Sequence, residues 1–308
     1  MPSIRKTISG ELTKAAYLNP NVTALTADLA GSVGFQEIKE KLPKQFVQCG
    51  IAEQEMLSLA AGMALSGGIP FAASYAAFHP GRNWDQLRTS VCYNLTPVRL
   101  ISSHYGLSVG GDGATHQCLE YLALTLCLPN LRVLVPGNTP TAKWALQEAL
   151  GEHRYPTVIF QPRETHEEDL DEIDATEVHE LGYAYLSPSI ETKTLLISTG
   201  LITQEALALY REKSATYGLA MLVDLTSLAR ADLAKLIHRY ERVVIVEEHQ
   251  EFGGLGSLLF ALMAEYRLAR VVVHCCINHR FGKSARAGKD LWSTYEIDRL
   301  SIARRLGE

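Results

Sequence analysis

Short β-rich runs and longer helical stretches take turns through the first half of this sequence. The strand candidates are Val22 to Ala27, Gln45 to Cys49, Pro70 to Ser74, Val98 to Ser102, Leu131 to Val135 and Thr157 to Gln161. Between them the apolar spacing predicts helices over Glu53 to Leu65, Trp84 to Tyr93, Cys118 to Cys127 and Thr139 to Leu150. Strands this apolar, bounded by Gly, Pro and Asn, suit burial on both faces, which calls for a parallel sheet with helices above and below. The acidic stretch Glu164 to Glu177 lacks an apolar period and reads as a linker. A second alternating unit follows. Its strands are Thr194 to Ser198, Ala220 to Leu225, Val243 to Val246 and Val271 to His274, with helices such as Gln204 to Lys213 and Leu255 to Tyr266. The expected fold class is α/β, with two domains, each a mostly parallel sheet flanked by helices, divided near residue 178.

A chain of 308 residues has room for two such domains, each with its own core. With 47% hydrophobic residues and no low-complexity segment, disorder is not expected. A formal net charge of -5 argues against nucleic acid or membrane as the main partner. The cysteines at 49, 92, 118, 127, 275 and 276 form no CxxC pair and no metal-ligand spacing. Set among apolar residues, they read as buried thiols in a reducing compartment. The N-terminus, MPSIRKTISGEL, has no apolar signal-like core, and no later run approaches a membrane span. A soluble, cytoplasmic protein is expected.

Three segments after predicted strands are more polar than packing requires, and ligands in open α/β sheets gather at such carboxyl-end loops. The first, Gly50-Ile51-Ala52-Glu53-Gln54-Glu55-Met56, puts Glu53 in the first turn of an apolar helix. There it either complements the helix dipole or serves as a functional carboxylate. The second, Ser102 to Gln117, carries His104, Asp112, His116 and glycines at 106, 110, 111 and 113. Glycine lets backbone approach a ligand closely, and His and Asp supply charge and proton transfer near neutral pH. Two histidines beside an aspartate in one loop favour function over packing. The third, Tyr75-Ala76-Ala77-Phe78-His79-Pro80-Gly81-Arg82, offers aromatics that would serve equally as core. In the second unit, Gly253-Gly254-Leu255-Gly256 opens a helix whose free amides would suit an anion, or else forms a tight strand-to-helix turn.

Together these segments resemble the transketolase family over the whole chain. The match starts at Arg5-Lys6, passes through Ala27-Asp28-Leu29 and Gly50-Ile51-Ala52-Glu53, and is strongest at Gly110-Gly111-Asp112-Gly113-Ala114-Thr115-His116-Gln117. It continues through Leu128-Pro129-Asn130-Leu131 to Gln161-Pro162-Arg163. The resemblance implies a pyrimidine-binding domain over 1–165, an acidic linker over 166–180 and a transketolase C-terminal domain over 181–308. It also implies thiamine diphosphate as cofactor, with Mg2+ (or Ca2+) held mainly by a separate N-terminal subunit that carries the diphosphate-binding domain. An α2β2 assembly acting on sugar phosphates is the form expected. Glu53 matches the glutamate that hydrogen-bonds the aminopyrimidine ring and promotes loss of the thiazolium proton. A buried, apolar setting would help that carboxyl keep or share a proton. Phe78 and Tyr75 match aromatics that line the pyrimidine, although His79 to Trp84 departs from the family's pattern. Arg5, Ser32, His104 and Arg163 resemble the clamp on the substrate phosphate. Asp112 resembles the aspartate that reads the donor's hydroxyl configuration, and His116 a histidine near the reacting hydroxyls. His104 and His116 are therefore expected to be catalytic as well as substrate-binding. Gly111-Asp112-Gly113 with Asn138 imitates the family's magnesium-diphosphate motif, but it lies in the pyrimidine-domain loop, and Asn138 reads as a helix N-cap.

The implied function is transfer of a two-carbon ketol unit from a ketose phosphate to an aldose, by this chain acting as the C-terminal subunit of a split transketolase. The alternatives are a deoxyxylulose-phosphate synthase-like or other acyloin-forming enzyme, and the β subunit of a 2-oxo-acid dehydrogenase decarboxylase. A non-catalytic scaffold subunit is the reading from another class, and it gives no reason to keep Glu53, His104, Asp112 and His116 together.

Overall fold

The computed structural model describes residues 3–151, 155–163, 173, 175–190, 192–212 and 216–307. Its first sheet is built from β1 (Val22–Thr26), β2 (Phe46–Gln48), β3 (Ile69–Tyr75), β4 (Arg99–Ser103), β5 (Arg132–Leu134) and β6 (Thr157–Gln161). The order is β2-β1-β3-β4-β6-β5, with every pair parallel. β1, β4 and β6 are buried along their whole length, as expected of strands covered on both faces. The second sheet holds β7 (Tyr183–Leu186), β8 (Thr194–Thr199), β9 (Tyr217–Leu222), β10 (Arg242–Val246) and β11 (Val271–Cys275), in the order β11-β10-β8-β9-β7. Only β7 runs antiparallel, against β9.

The two-domain α/β architecture thus agrees with the sequence reading, and the differences have local causes. The helix expected from Cys118 starts only at Tyr121, because Cys118 bridges back to the preceding loop: Gly106 N–H donates to its carbonyl at 3.0 Å. Trp84 to Tyr93 is helical, but after Gln86 it widens into a π-helical stretch, Leu87–Tyr93. β7 and the helices Ile4–Leu18, Arg230–His238 and Arg299–Arg305 have no counterpart in the alternation read above. Of the acidic stretch, residues 164–172 and 174 lie outside the described residues, and its far end runs into a short helix, Val178–Leu181. The cysteines are not uniformly buried. Cys92, Cys118, Cys275 and Cys276 are, whereas Cys49 is half-buried and Cys127, just past the end of the helix Tyr121–Leu126, is exposed. No helix among the described residues is long and apolar enough to cross a membrane.

The strand orders fix where sites can form. After β1 the chain lays β2 on one side and then β3 on the other, so the loops leaving the carboxyl ends of β1 and β3 diverge and open a crevice. The second sheet repeats the device, with β9 on one side of β8 and β10 on the other.

Candidate functional site

The crevice between the carboxyl ends of β1 and β3 is a pocket of about 260 Å³. Asp28 and Leu29 border it after β1, Tyr75 and Phe78 at the end of β3, and Glu53, Arg82 and His116 complete its polar lining. Glu53 is the first residue of the helix Glu53–Leu65 and is only 2% exposed. The Arg82 guanidinium donates to one of its carboxylate oxygens at 2.9 Å, while the other receives a long bond, 3.4 Å, from the Ser74 hydroxyl. The setting is therefore less apolar than the sequence suggested: a guanidinium, not hydrocarbon, faces the first oxygen. Arg82 also lies over the Phe78 ring, 4.5 Å from its centroid.

Arg82 was not among the residues expected from sequence, and its only signal was its place at the end of the aromatic segment. It is delivered by the stretch that departs from the family's pattern. His79 is fully buried, its ring bonded to the Ala72 carbonyl at 3.1 Å and to the Asn83 side chain at 2.8 Å. Burial holds its pKa down to about 4, so it is neutral at pH 7. Asn83 in turn donates to the backbone carbonyl of Glu53 at 2.9 Å.

The glycine-rich loop after β4 forms the next wall. His104 sits at φ +61° with its ring stacked on Tyr75 at a centroid distance of 3.8 Å, and the Ser103 hydroxyl is 2.7 Å from Nδ1. Burial first, then the nearby charges of Arg163, Arg5 and His116, pushes its pKa down to about 3. His104 is thus a neutral hydrogen-bonding group at ordinary pH. The His116 ring meets Phe78 and Tyr75 edge-on, at 5.3 and 6.2 Å. At the rim Arg163 donates to the Val109 carbonyl at 2.6 Å and lies 3.9 Å from Asp112. Arg5 donates at 2.9 Å to the carbonyl of Ser32, not to its hydroxyl.

The fold therefore gathers Glu53, Tyr75, Phe78 and His116 around one pocket, with His104 stacked behind Tyr75. Arg5 is bonded to Ser32 and Arg163 faces Asp112, and the charges of both guanidiniums help to hold the His104 pKa down. Of the two readings of Gly253-Gly254-Leu255-Gly256, the tight strand-to-helix turn stands, because the Glu247 carboxylate already accepts from Leu255 N–H at 2.6 Å and Gly256 N–H at 2.9 Å. Gly106, Gly110 and Gly113, expected to let backbone approach a ligand, have the second domain where a Cβ would project. Asn138 is an N-cap, its side chain accepting from Thr141 N–H at 3.0 Å. No three metal-ligating side chains converge among the described residues.

Residues 1–167 match the transketolase pyrimidine binding domain, and residues 182–299 match the transketolase C-terminal domain. A protein of Methanocaldococcus jannaschii designated a transketolase C-terminal section is 32% identical, over 94% of this chain and 90% of its own length. One of the apulose-4-phosphate transketolase subunits of Phocaeicola vulgatus is 27% identical, over 86% of this chain and 85% of its own length. A solved structure described as a split-gene transketolase, an inactive β4 tetramer, superimposes with a TM-score of 0.83 at 27% identity, covering 98% of this chain and 96% of that one. A two-domain α/β chain with its pocket at the first switch point, matching both of these domains in order, belongs to the transketolase family.

Proposed function

We propose that this chain is the C-terminal subunit of a split, thiamine-diphosphate-dependent transketolase that moves a two-carbon ketol unit from a ketose phosphate to an aldose. The observation that carries the reading is Glu53, a buried carboxylate at the edge of an aromatic-lined pocket at the β1/β3 switch point. The donor set fits an aminopyrimidine. Phe78 and Tyr75 lie within 15° of parallel, offering flat apolar surface, and the Glu53 oxygen bonded to Ser74 at only 3.4 Å keeps accepting capacity for a ring N–H. When bound, the cofactor supplies the electron sink for the carbon–carbon bond chemistry. The chain's own residues then hold and orient. Glu53 holds a proton at the ring nitrogen, Phe78 and Tyr75 fix the ring plane, and His116 and neutral His104 meet the substrate hydroxyls. Asp112 reads hydroxyl configuration, and Arg5, Ser32 and Arg163 take the distal phosphate.

Relatives designated as a C-terminal section and as one subunit of a transketolase, and a neighbour described as a split-gene product, support a separate N-terminal subunit. That subunit would supply the diphosphate site and its metal, in an assembly of two copies of each chain. The test is Glu53. Glu53→Gln and Glu53→Ala should fold as wild type yet, with the partner in excess, lose about 100-fold or more in single-turnover adduct formation followed by circular dichroism. Wild-type rates in both variants would refute the assignment.

A further inference from the structure

The second sheet has its own crevice, between the carboxyl ends of β8 and β10, where an α/β sheet ordinarily receives a ligand. Here the occupant is part of the first domain. The Tyr105 hydroxyl accepts from Leu201 N–H at 2.9 Å, in space that Gly200 leaves by lacking a Cβ. Next to it Gly106, at φ +63°, lies against the carboxylate of Glu248, which also receives the indole N–H of Trp292. Beyond the crevice the segment Gly282–Gly288 runs along the same loop. Ala285 N–H donates to the Gly110 carbonyl at 3.3 Å, and the Gln117 side chain donates to the Lys283 carbonyl at 3.0 Å. At Gly106 and Gly113 on the loop, and at Gly200, Gly282 and Gly288 opposite, any Cβ would come within 3.0 Å of the other domain. The missing side chains let the two domains approach this closely: an added Cβ would meet backbone at Gly288 but only the Gln117 side chain at Gly282.

These contacts bracket three polar residues of the loop, of which His116 lines the pocket. His104 immediately precedes Tyr105, Asp112 lies between Gly110 and Gly113, and His116 immediately precedes Gln117. Every residue lining the pocket belongs to the first domain. We infer that the second domain acts on the site by seating this loop as its own sheet's ligand, and that Gln117 is a positioning residue that sets His116 and Asp112. The inference rests on the proposed reading for its effect on turnover, but the seat itself is a property of the chain.

Two perturbations approach the seat from opposite sides. Gln117→Ala removes the bond to the Lys283 carbonyl. Gly282→Ala crowds only the flexible end of the Gln117 side chain, so the fold should tolerate it. In the purified chain, amide hydrogen exchange over residues 106–117 should accelerate about tenfold in each variant, while β1 and β3 keep their protection. In the complex with the N-terminal subunit, each should lose about tenfold in kcat/KM for a phosphorylated ketose, with cofactor affinity unchanged. Lys283→Ala keeps its carbonyl and should behave as wild type in both measurements. Unchanged exchange in both variants would overturn the seat, and faster exchange with unchanged kcat/KM would overturn its positioning role. Absence of ketol transfer by the wild-type complex would count against the functional reading alone, because the exchange data still decide the seat.

Discussion

Arg163 and Asp112 face each other at 3.9 Å, each side chain 46% exposed, so their ion pair contributes little to stability and, on the proposed reading, opens for the substrate. The guanidinium also gives one N–H to the Val109 carbonyl, which keeps it at the rim beside His104. A charge-assisted contact to a phosphate is worth roughly 1.5–3 kcal/mol. Arg163→Ala should therefore lower kcat/KM about ten- to a hundredfold for a ketose phosphate and hardly change it for the free sugar. Steady-state assays with both donors decide this, and an equal loss on the two would remove Arg163 from the phosphate site. At this scale the sequence was informative about which residue types would meet and less so about their neighbours. That Glu53, Phe78 and His116 would share a pocket was legible from three polar or aromatic segments, each following a strand. Arg82 was not, because its reach to Glu53 depends on the turn that His79 and Asn83 build from buried hydrogen bonds. The glycines announced a need for space, but a sequence does not say whether ligand or protein fills it.

Among the elements, long apolar strands were easy to place, since β4, β6 and β8 bury every residue and need both faces covered. β7 was hidden because only Tyr183 and Ala184 of its four residues are buried, and because it is an antiparallel strand in a parallel pattern. The helix Ile4–Leu18 buries Ile4, Ile8, Leu12 and Ala16, but polar residues dilute its apolar face. The helix Leu255–Glu265 shows how a terminus can be completed from outside the element. Glu247, at the end of β10, bonds its first amides and also His274 on β11, at 2.6 Å, so one carboxylate ties a helix to two strands. Burial alone would lower the His274 pKa, but hydrogen bonds with Cys276 and Glu247 outweigh it and raise the value to about 9. With the folded value above the ordinary 6.5, this stabilisation is fully present below pH 6.5 and is lost as pH rises through 9. The melting temperature of wild type should thus fall more steeply than that of His274→Gln between about pH 6.5 and pH 9.5. Parallel curves for the two proteins would show that the imidazolium carries no such load.

At the scale of the whole molecule, no metal-ligating trio lies among the described residues. On the proposed reading the purified chain should bind thiamine diphosphate weakly, and titration with the N-terminal subunit should bring tight binding and turnover together. Isothermal calorimetry on the chain alone and on the mixture tests this, and tight magnesium-dependent binding without the partner would contradict it.

The interlocked glycines between the two domains also bear on how such a chain can change over evolutionary time. A loop that must thread Gly106 past Glu248 and fit Gly113 against Ser284 cannot drift independently of the surface opposite it. Recombination between homologues at the boundary separating the two sheets would pair a loop from one lineage with a seat from another. Functional chimeras should therefore be recovered chiefly when Ser102 to Gln117 is inherited together with the second half of the chain. The heritable unit, on this view, crosses the domain boundary.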